Sequence, residues 1–322
     1  MGDVDYDEQI LQAAHLYYVD NLTQAEIAKV LGVSRPTVSR LLTRAREEGI
    51  VQVTITPWRQ RDAALEEQVS RRFNLRGAII VRTSSGSNPA AVRQGIGFGA
   101  GSHVVKLIRP EDVIGIGRGR TLAELTAAMH PPGEPMNLTI VQLLGDVSAQ
   151  HDESLARELT RQLAANFGGQ AYYVTAPALV DNAATRDMLM KSAAITAATQ
   201  LYSRLQIALV GIGEIEKSPL VLGGLISEEE AAQLRRQGIV GDICGYFFDI
   251  DGQFRSTTFD GRAIGITLDE LQRCDNVVAV AGGDDKVVPL LGVLRSGIVD
   301  FLVSDQLTTA NIMQLVQIVE SK

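Results

Sequence analysis

Only two cysteines, Cys244 and Cys274, occur in the 322 residues. With no CxxC spacing they do not read as a disulfide framework or a thiolate metal site, and buried thiols are expected. No apolar run reaches the roughly 18 residues of a membrane span, so a transmembrane helix is excluded. The opening Met1-Gly2-Asp3-Val4-Asp5-Tyr6-Asp7-Glu8 is acidic and lacks an apolar core, unlike a secretory signal. A cytoplasmic location is the expectation. Histidine is scarce too. His15, His103, His130 and His151 fall in no catalytic arrangement, and His103 and His151 read as surface or helix-packing residues. No metal and no cofactor is expected. Low-complexity tracts and solenoid repeats are likewise absent.

What is present suits a globular chain: 45% hydrophobic and 21% charged residues, long enough for about two domains. The net charge of −8 argues against a generic nucleic-acid coat, because phosphate binding is largely electrostatic. Its placement matters more than its sum. Between Thr23 and Arg46, Glu26 stands against Lys29, Arg35, Arg40, Arg44 and Arg46, a net charge of +4. A short basic element on an acidic chain suits local, specific DNA contact.

Three segments separate along the chain. Residues 1–56 read as a compact helical unit ending in the alternating run Val51, Val53, Ile55. Pro57 to Asp62 reads as a connector, after which Leu65, Val69 and Phe73 recur every four residues, as on one helix face. From Gly77 on, β-branched runs precede glycines and helical patterns. They are 78–81, 112–117, 139–145, 207–213, 277–283 and 299–303. Nearly uninterrupted apolar strands alternating with helices predict an α/β domain: a doubly wound, Rossmann-like parallel sheet covered on both faces over residues 57–322. Ligands of such sheets bind beyond the carboxyl ends of the strands, where these glycines fall.

The stretch 22–42 carries the signature of a helix-turn-helix. Thr23 and Glu26 form a capping box, Ala28 allows close helix approach and Gly32 permits the turn after Leu31. Val33 plugs the corner, Ser34 caps the next helix, and Pro36 occupies its first turn, where a missing N–H costs little. Gly49 is a plausible stop. Periodicity turns Val38, Leu41, Leu42 and Ala45 inward and leaves Pro36, Thr37, Ser39, Arg40, Thr43 and Arg44 outside. Arg35, Pro36, Thr37, Ser39, Arg40 and Arg44 are therefore the candidate DNA-contacting residues, able to meet guanine edges or phosphates of a double-stranded operator.

In the third segment, Gly115-Ile116-Gly117-Arg118-Gly119-Arg120-Thr121-Leu122 follows a strand and opens a helix running to about Met129. Glycines let backbone amides approach an anion at a helix N-terminus, and Arg120 and Thr121 can add phosphate contacts. Arg120 stands where GxGxxG needs glycine, and the Gly-Lys-Ser/Thr of a Walker loop is missing, which argues against a dinucleotide sensor. After a later strand, Ala281-Gly282-Gly283-Asp284-Asp285-Lys286 offers a lysine to the same ligand if the strand ends converge. Gly241-Asp242 and Asp249-Ile250-Asp251-Gly252 can bond sugar hydroxyls or simply cap turns.

In this order the motifs resemble the SorC family of bacterial sugar-responsive regulators over essentially the whole chain. The resemblance rests on the helix-turn-helix, Gly117-Arg118-Gly119-Arg120-Thr121, the segment from Gly241-Asp242 to Phe248-Asp249, Ala281-Gly282-Gly283 with Lys286, Leu294-Arg295-Ser296-Gly297, and the run from Val299 to Ala310. It implies an effector domain similar to sugar-phosphate isomerases and deaminases that acts as a sensor, not a catalyst. Effector contacts are then expected at Gly117, Gly119, Arg120, Thr121, Asp242, Gly283 and Lys286, with a sugar or sugar phosphate as ligand. Dimers or tetramers on palindromic operators are implied, with half-sites about one helical turn, roughly 34 Å, or a multiple of it apart. Arg118 stands where an aromatic residue is frequent in related sequences. The rival reading, an isomerase or deaminase with an accessory DNA-binding unit, needs a placed general base that no histidine motif supplies.

Overall fold

The computed structural model describes residues 3–20, 22–48, 50–51, 61–83, 88–147 and 155–320. The chain forms two compact units, Met1–Trp58 and Arg59–Lys322. No helix among the described residues is long and apolar enough to cross a membrane.

The first unit consists of α1 (Asp3–Tyr18), α2 (Gln24–Leu31) and α3 (Arg35–Glu47). Thr23 and Glu26 close the expected capping box: the Thr23 N–H donates to Glu26 Oε2 at 2.8 Å and the Glu26 N–H to Thr23 Oγ1 at 3.3 Å. That bonding holds the Glu26 carboxyl below its ordinary range, chiefly through the Thr23 hydroxyl. Gly32 turns the chain at φ +67°, the left-handed conformation that favours glycine, and Ser34 Oγ accepts the Thr37 N–H at 3.3 Å to start α3. Ile10, Ala13 and Ala14 of α1 meet Ile27 of α2 and Val38, Leu41, Leu42 and Ala45 of α3 in one small core. The four α3 residues assigned inward are all buried. Val51 lies in a bend; Gly49, Val53, Ile55 and the connector from Pro57 to Gln60 lie outside the described residues, as does His151.

The second unit opens with α4 (Ala63–Phe73), β1 (Gly77–Val81), α5 (Pro89–Val104), β2 (Val113–Ile116), α6 (Arg120–Ala127), β3 (Thr139–Gln142), α7 (Leu155–Phe167) and β4 (Gln170–Tyr172). It continues through α8 (Ala183–Met190), α9 (Ala193–Thr199), β5 (Ile207–Gly211), β6 (Gly213–Glu214), α10 (Pro219–Leu222), α11 (Glu228–Arg236), β7 (Ile239–Ile243) and β8 (Tyr246–Asp249). Then come α12 (Leu268–Gln272), β9 (Asn276–Val280), α13 (Val287–Arg295), β10 (Phe301–Asp305) and α14 (Gln306–Glu320). Seven strands form one parallel sheet in the order β1-β10-β9-β5-β2-β3-β4. From β2 the chain builds outward through β3 and β4. It returns to β5 and then builds the other way, so the order reverses between β2 and β5.

Alternate residues along each strand enter opposite cores, as the two-residue period requires. Ile79, Ile114, Ile116, Ile140, Leu209, Val278 and Val280 pack under α5, α6 and α7, whose Ile96, Leu122, Leu125, Leu163 and Phe167 are buried there. Ala78, Ile80, Val113, Val141, Ala208, Val210, Val277 and Ala279 face the other way, toward Val69, Leu290, Val293 and Ile312 of α4, α13 and α14. The sheet is doubly wound, as the apolar runs indicate. Burial pushes the Cys244 thiol up to about 12 and the Cys274 thiol up to about 11, so neither is a nucleophile at neutral pH.

Two features depart from the sequence pattern. The last strand begins at Phe301, two residues later than the run from Val299, because Asp300 turns its carboxylate back to accept the Val277 N–H at 2.8 Å. A separate antiparallel sheet, β6-β7-β8, stands where Gly241-Asp242 and Asp249 read as turn residues. Its hairpin closes at Cys244-Gly245, both at positive φ (50° and 83°), the pattern of a two-residue type I′ turn.

Recognition helix and candidate effector site

On α3, Arg35, Pro36, Ser39, Arg40 and Arg44 are exposed, while Thr37 is half-buried. The six candidate residues thus share the outer side of the helix, but their hydrogen bonding differs. Thr37 Oγ1 lies 2.8 Å from Ser34 Oγ, so that hydroxyl is engaged in the cap. Arg44 pairs with Glu48 one turn on. Arg35 and Arg40 make no hydrogen bond or ion pair among the described residues; Arg35 presents its guanidinium group at the helix N-terminus and Arg40 in the second turn. That combination of donors and positive potential fits phosphate oxygens and guanine edges.

In the second unit the loop between β2 and α6 lies at the reversal of strand order, where α/β sheets form their ligand crevice. The Gly117 N–H donates to Leu209 O at 2.9 Å, fastening the loop to β5. A Cβ at Gly211 would stand 2.4 Å from the Arg118 carbonyl, so β5 and the loop meet backbone to backbone. Gly119, at φ +146°, is the N-cap of α6 and provides no side-chain cap. The first amides of α6 are therefore left for another acceptor. Arg120 opens the helix exposed, and Thr121 behind it is buried.

Lys286 ends the 3-10 turn Asp284–Lys286 that follows β9. Burial holds its ammonium below the ordinary lysine range, against the opposing pull of Asp285, Asp242 and Glu214, while Arg120 pushes it further down. Lys286 thus lies within electrostatic reach of both Arg120 and Asp242, which come from two other elements. Asp242, on β7, is itself buried; Ser218 Oγ donates to it at 3.2 Å, and burial pushes its carboxyl up, with Lys286 and Arg118 pulling it down.

The backbone of Gly283 has partners within the fold. Its N–H donates to Thr308 Oγ1 at 2.7 Å and Asp305 Oδ2 at 3.0 Å, and its carbonyl accepts the Lys286 N–H at 2.9 Å. Both backbone groups are engaged in shaping the turn that carries Lys286. Asp305 is fixed in turn by the Thr308 hydroxyl at 2.6 Å and the Thr308 N–H at 3.0 Å. The run from Val299 to Ala310 is therefore scaffolding for the lysine loop. The Asp249 turn is scaffolding too. Asp249 Oδ1 accepts the Asp251 and Gln253 N–H groups at 3.0 and 2.9 Å, and Arg295 Nη1 donates to the Ile250 carbonyl at 2.9 Å. A Cβ at Gly252 would stand 2.3 Å from the Ser296 nitrogen, so this turn packs against the end of α13. The carboxylate of Asp249 is further held by the Arg255 guanidinium, so its bonds within the fold fit the capping reading of that turn.

Two participants escaped the sequence pattern. Glu214 caps the 3-10 turn after β6 by accepting the Glu216 and Lys217 N–H groups at 3.1 Å each, and its charge reaches Lys286. Arg93, on α5, faces Arg120 electrostatically. Among the described residues no cluster of three His, Cys, Asp or Glu side chains is placed to hold a metal ion. His103 is half-buried at the end of α5, with Nδ1 3.3 Å from Arg61 Nη1, and His15 lies 3.2 Å from Asp20. Neither belongs to this site.

Both units match known families. Residues 59–314 match the sugar-binding domain family and residues 7–57 the MarR family. The sorbitol operon regulator of Klebsiella pneumoniae is 30% identical over 314 residues, covering 96% of this chain and 98% of that protein. The deoxyribonucleoside regulator of Bacillus subtilis (strain 168) is 30% identical over 308 residues, covering 95% and 97%. The crystal structure of the full-length sorbitol operon regulator SorC from Klebsiella pneumoniae superposes with a TM-score of 0.75 at 28% identity, over 97% of this chain and 99% of that one. These relatives are transcriptional regulators, not enzymes. With both units matched in order and nearly the whole length aligned, the chain belongs to the SorC family of transcriptional regulators, with a helix-turn-helix for DNA and a sugar-binding domain.

Proposed function

We propose that this regulator controls an operon of sugar or polyol metabolism, and that a sugar phosphate or related small effector sets its affinity for the operator. The observation that carries the reading is that Lys286 lies within electrostatic reach of both Asp242 and Arg120, the latter opening a helix with no side-chain cap at the reversal of strand order. Cations and free amides suit a phosphate, while the buried carboxylate of Asp242 suits a hydroxyl donor. The sorbitol and deoxyribonucleoside regulators it resembles support a ligand of that chemical class. In this reading Gly117, Gly119, Arg120 and Thr121 hold the phosphate, Lys286 and Asp242 contact the effector, and Gly283 shapes the lysine turn. Arg35, Ser39, Arg40 and Arg44 contact DNA, with Pro36 and Thr37 setting the start of the helix.

Two copies acting as a homodimer, or a dimer of dimers, would place paired recognition helices on a palindromic operator. The protein would work in the cytoplasm, where operator and metabolite meet. Effector and operator then shift each other's affinity by the same factor. A mobility-shift titration on the operator with sugars, polyols and their phosphates tests this. Operator affinity should change by roughly 5- to 150-fold with the right ligand, the usual range for a coupling energy. Unchanged affinity across the whole panel would refute it.

A further inference from the structure

The packing of α5 against α6 places a further arginine at this site. Residues 93, 97 and 101 recur every four along α5, as do 120, 124 and 128 along α6, so each set lies on one helix face. A Cβ at Gly97 would stand 2.5 Å from the Glu124 carbonyl, and one at Gly101 would stand 2.6 Å from that of Ala128. Both contacts step in the same direction, so the two helices run parallel in backbone contact. One turn toward their N-termini the same step sets Arg93 beside Arg120.

The electrostatics agree with that register. Burial is the first influence holding the half-buried Arg93 below the ordinary arginine range and Arg120 the second, with Glu124 and Asp285 pulling the other way. Neither acidic residue makes an ion pair with Arg93; Asp285 is 3.3 Å from Lys217. Among the described residues, Arg93 and Arg120 make no hydrogen bond or ion pair with any partner. Two unpaired guanidinium groups side by side repel each other. A dianion between them removes the repulsion and satisfies both forks, whereas a neutral polyol does neither.

We propose that Arg93 is an effector-binding residue which, with Arg120, clamps the phosphate monoester of the effector. The proposal rests on the effector site described above. Arg93 then discriminates phosphorylated from unphosphorylated ligands, with the uncapped amides of α6 at the base of the clamp.

The test uses the full-length chain, its Arg93→Gln, Arg93→Lys and Arg120→Gln variants, and inorganic phosphate as the probe, read by thermal unfolding. Without phosphate, Arg93→Gln should unfold at the wild-type temperature or above, because a repulsion is gone. With phosphate, its upward shift should be lost, and its apparent Kd for phosphate should rise about tenfold or more, the loss of one charge-assisted hydrogen bond. Arg93→Lys should keep part of the response. A full wild-type response in Arg93→Gln, with the response lost in Arg120→Gln, overturns the clamp and leaves the site reading standing. An Arg93→Gln protein that unfolds well below wild type in the absence of phosphate, with Arg93→Lys responding as wild type does, also overturns it by making Arg93 structural. No response of the wild type to phosphate or to phosphorylated polyols overturns both readings.

Discussion

At Gly211 one added methyl group should separate the two activities of the molecule. An alanine Cβ there would meet the Arg118 carbonyl at 2.4 Å, and that neighbour is backbone, which cannot swing aside as a side chain can. The loop carrying Gly119, Arg120 and Thr121 must therefore move away from β5. Over-packing of this kind typically costs 1–3 kcal/mol, roughly. The expected Gly211→Ala protein is folded and binds operator DNA, yet no longer changes operator affinity with effector. Mobility shifts with and without ligand, beside a thermal unfolding curve, check this. A variant that keeps the full effector response would show that the loop position does not matter. The glycines differ greatly in this respect. A Cβ at Gly32 would meet nothing within 4 Å, and only its φ of +67° resists substitution.

Among the elements, α3 was the most legible in sequence, because its signals are local. The Ser34 cap, Pro36 in the first turn and the inward set Val38, Leu41, Leu42 and Ala45 depend on residues within one or two turns of each other. The parallel strands were legible for the same reason: their apolar runs are longer than their neighbours can disguise. Arg93 was not. Gly97 and Gly101, four and eight residues on, stand in the sequence, but nothing there says that this face meets the face of Arg120. That is a tertiary fact. What holds the Gly283 amide was hidden for a related reason, since Asp305 and Thr308 lie 22 and 25 residues away. The β6-β7-β8 sheet failed to show because Gly241-Asp242 in β7 and Asp249 at the end of β8 are turn-type residues that mask the strands they stand in. The legible cap of α3 also gives a prediction. Ser34→Ala removes the oxygen that accepts the Thr37 N–H and the partner of its hydroxyl. Loss of such a cap should destabilise the helical unit by about 1 kcal/mol. Operator affinity should fall because the first turn carrying Arg35 frays, with no change in the phosphate response of the sugar-binding domain. Circular dichroism melting and phosphate-dependent unfolding of the same variant separate the two. Loss of the phosphate response as well would contradict it.

For the whole molecule, the effector contact proposed for Lys286 would make its charge state link pH to both folding and regulation, in opposite directions. Burial holds the folded-state pKa of Lys286 below the ordinary lysine range. Below that value the folded protein carries a buried cation that the unfolded chain keeps in water, which costs stability. As pH rises from the folded value toward the ordinary lysine value, the folded state gives up its proton first. The cost is relieved across that window, so the lysine contribution to stability increases with pH. The phosphate response must run the other way, because an anion binds the protonated lysine and is released more readily as the charge is lost. Operator and effector affinities are linked by one coupling factor. The shift in operator binding at a fixed, subsaturating effector concentration should therefore shrink across the same alkaline window. An arginine at this position stays charged, so Lys286→Arg should flatten the pH dependence of the effector response while leaving the response at neutral pH in place. Unfolding midpoints and mobility shifts measured from neutral pH up to the ordinary lysine range, for both proteins, decide it. An effector response that falls equally with pH in the wild type and in Lys286→Arg would place the titrating group elsewhere, and Lys286 would then not be the residue that couples charge to the operator.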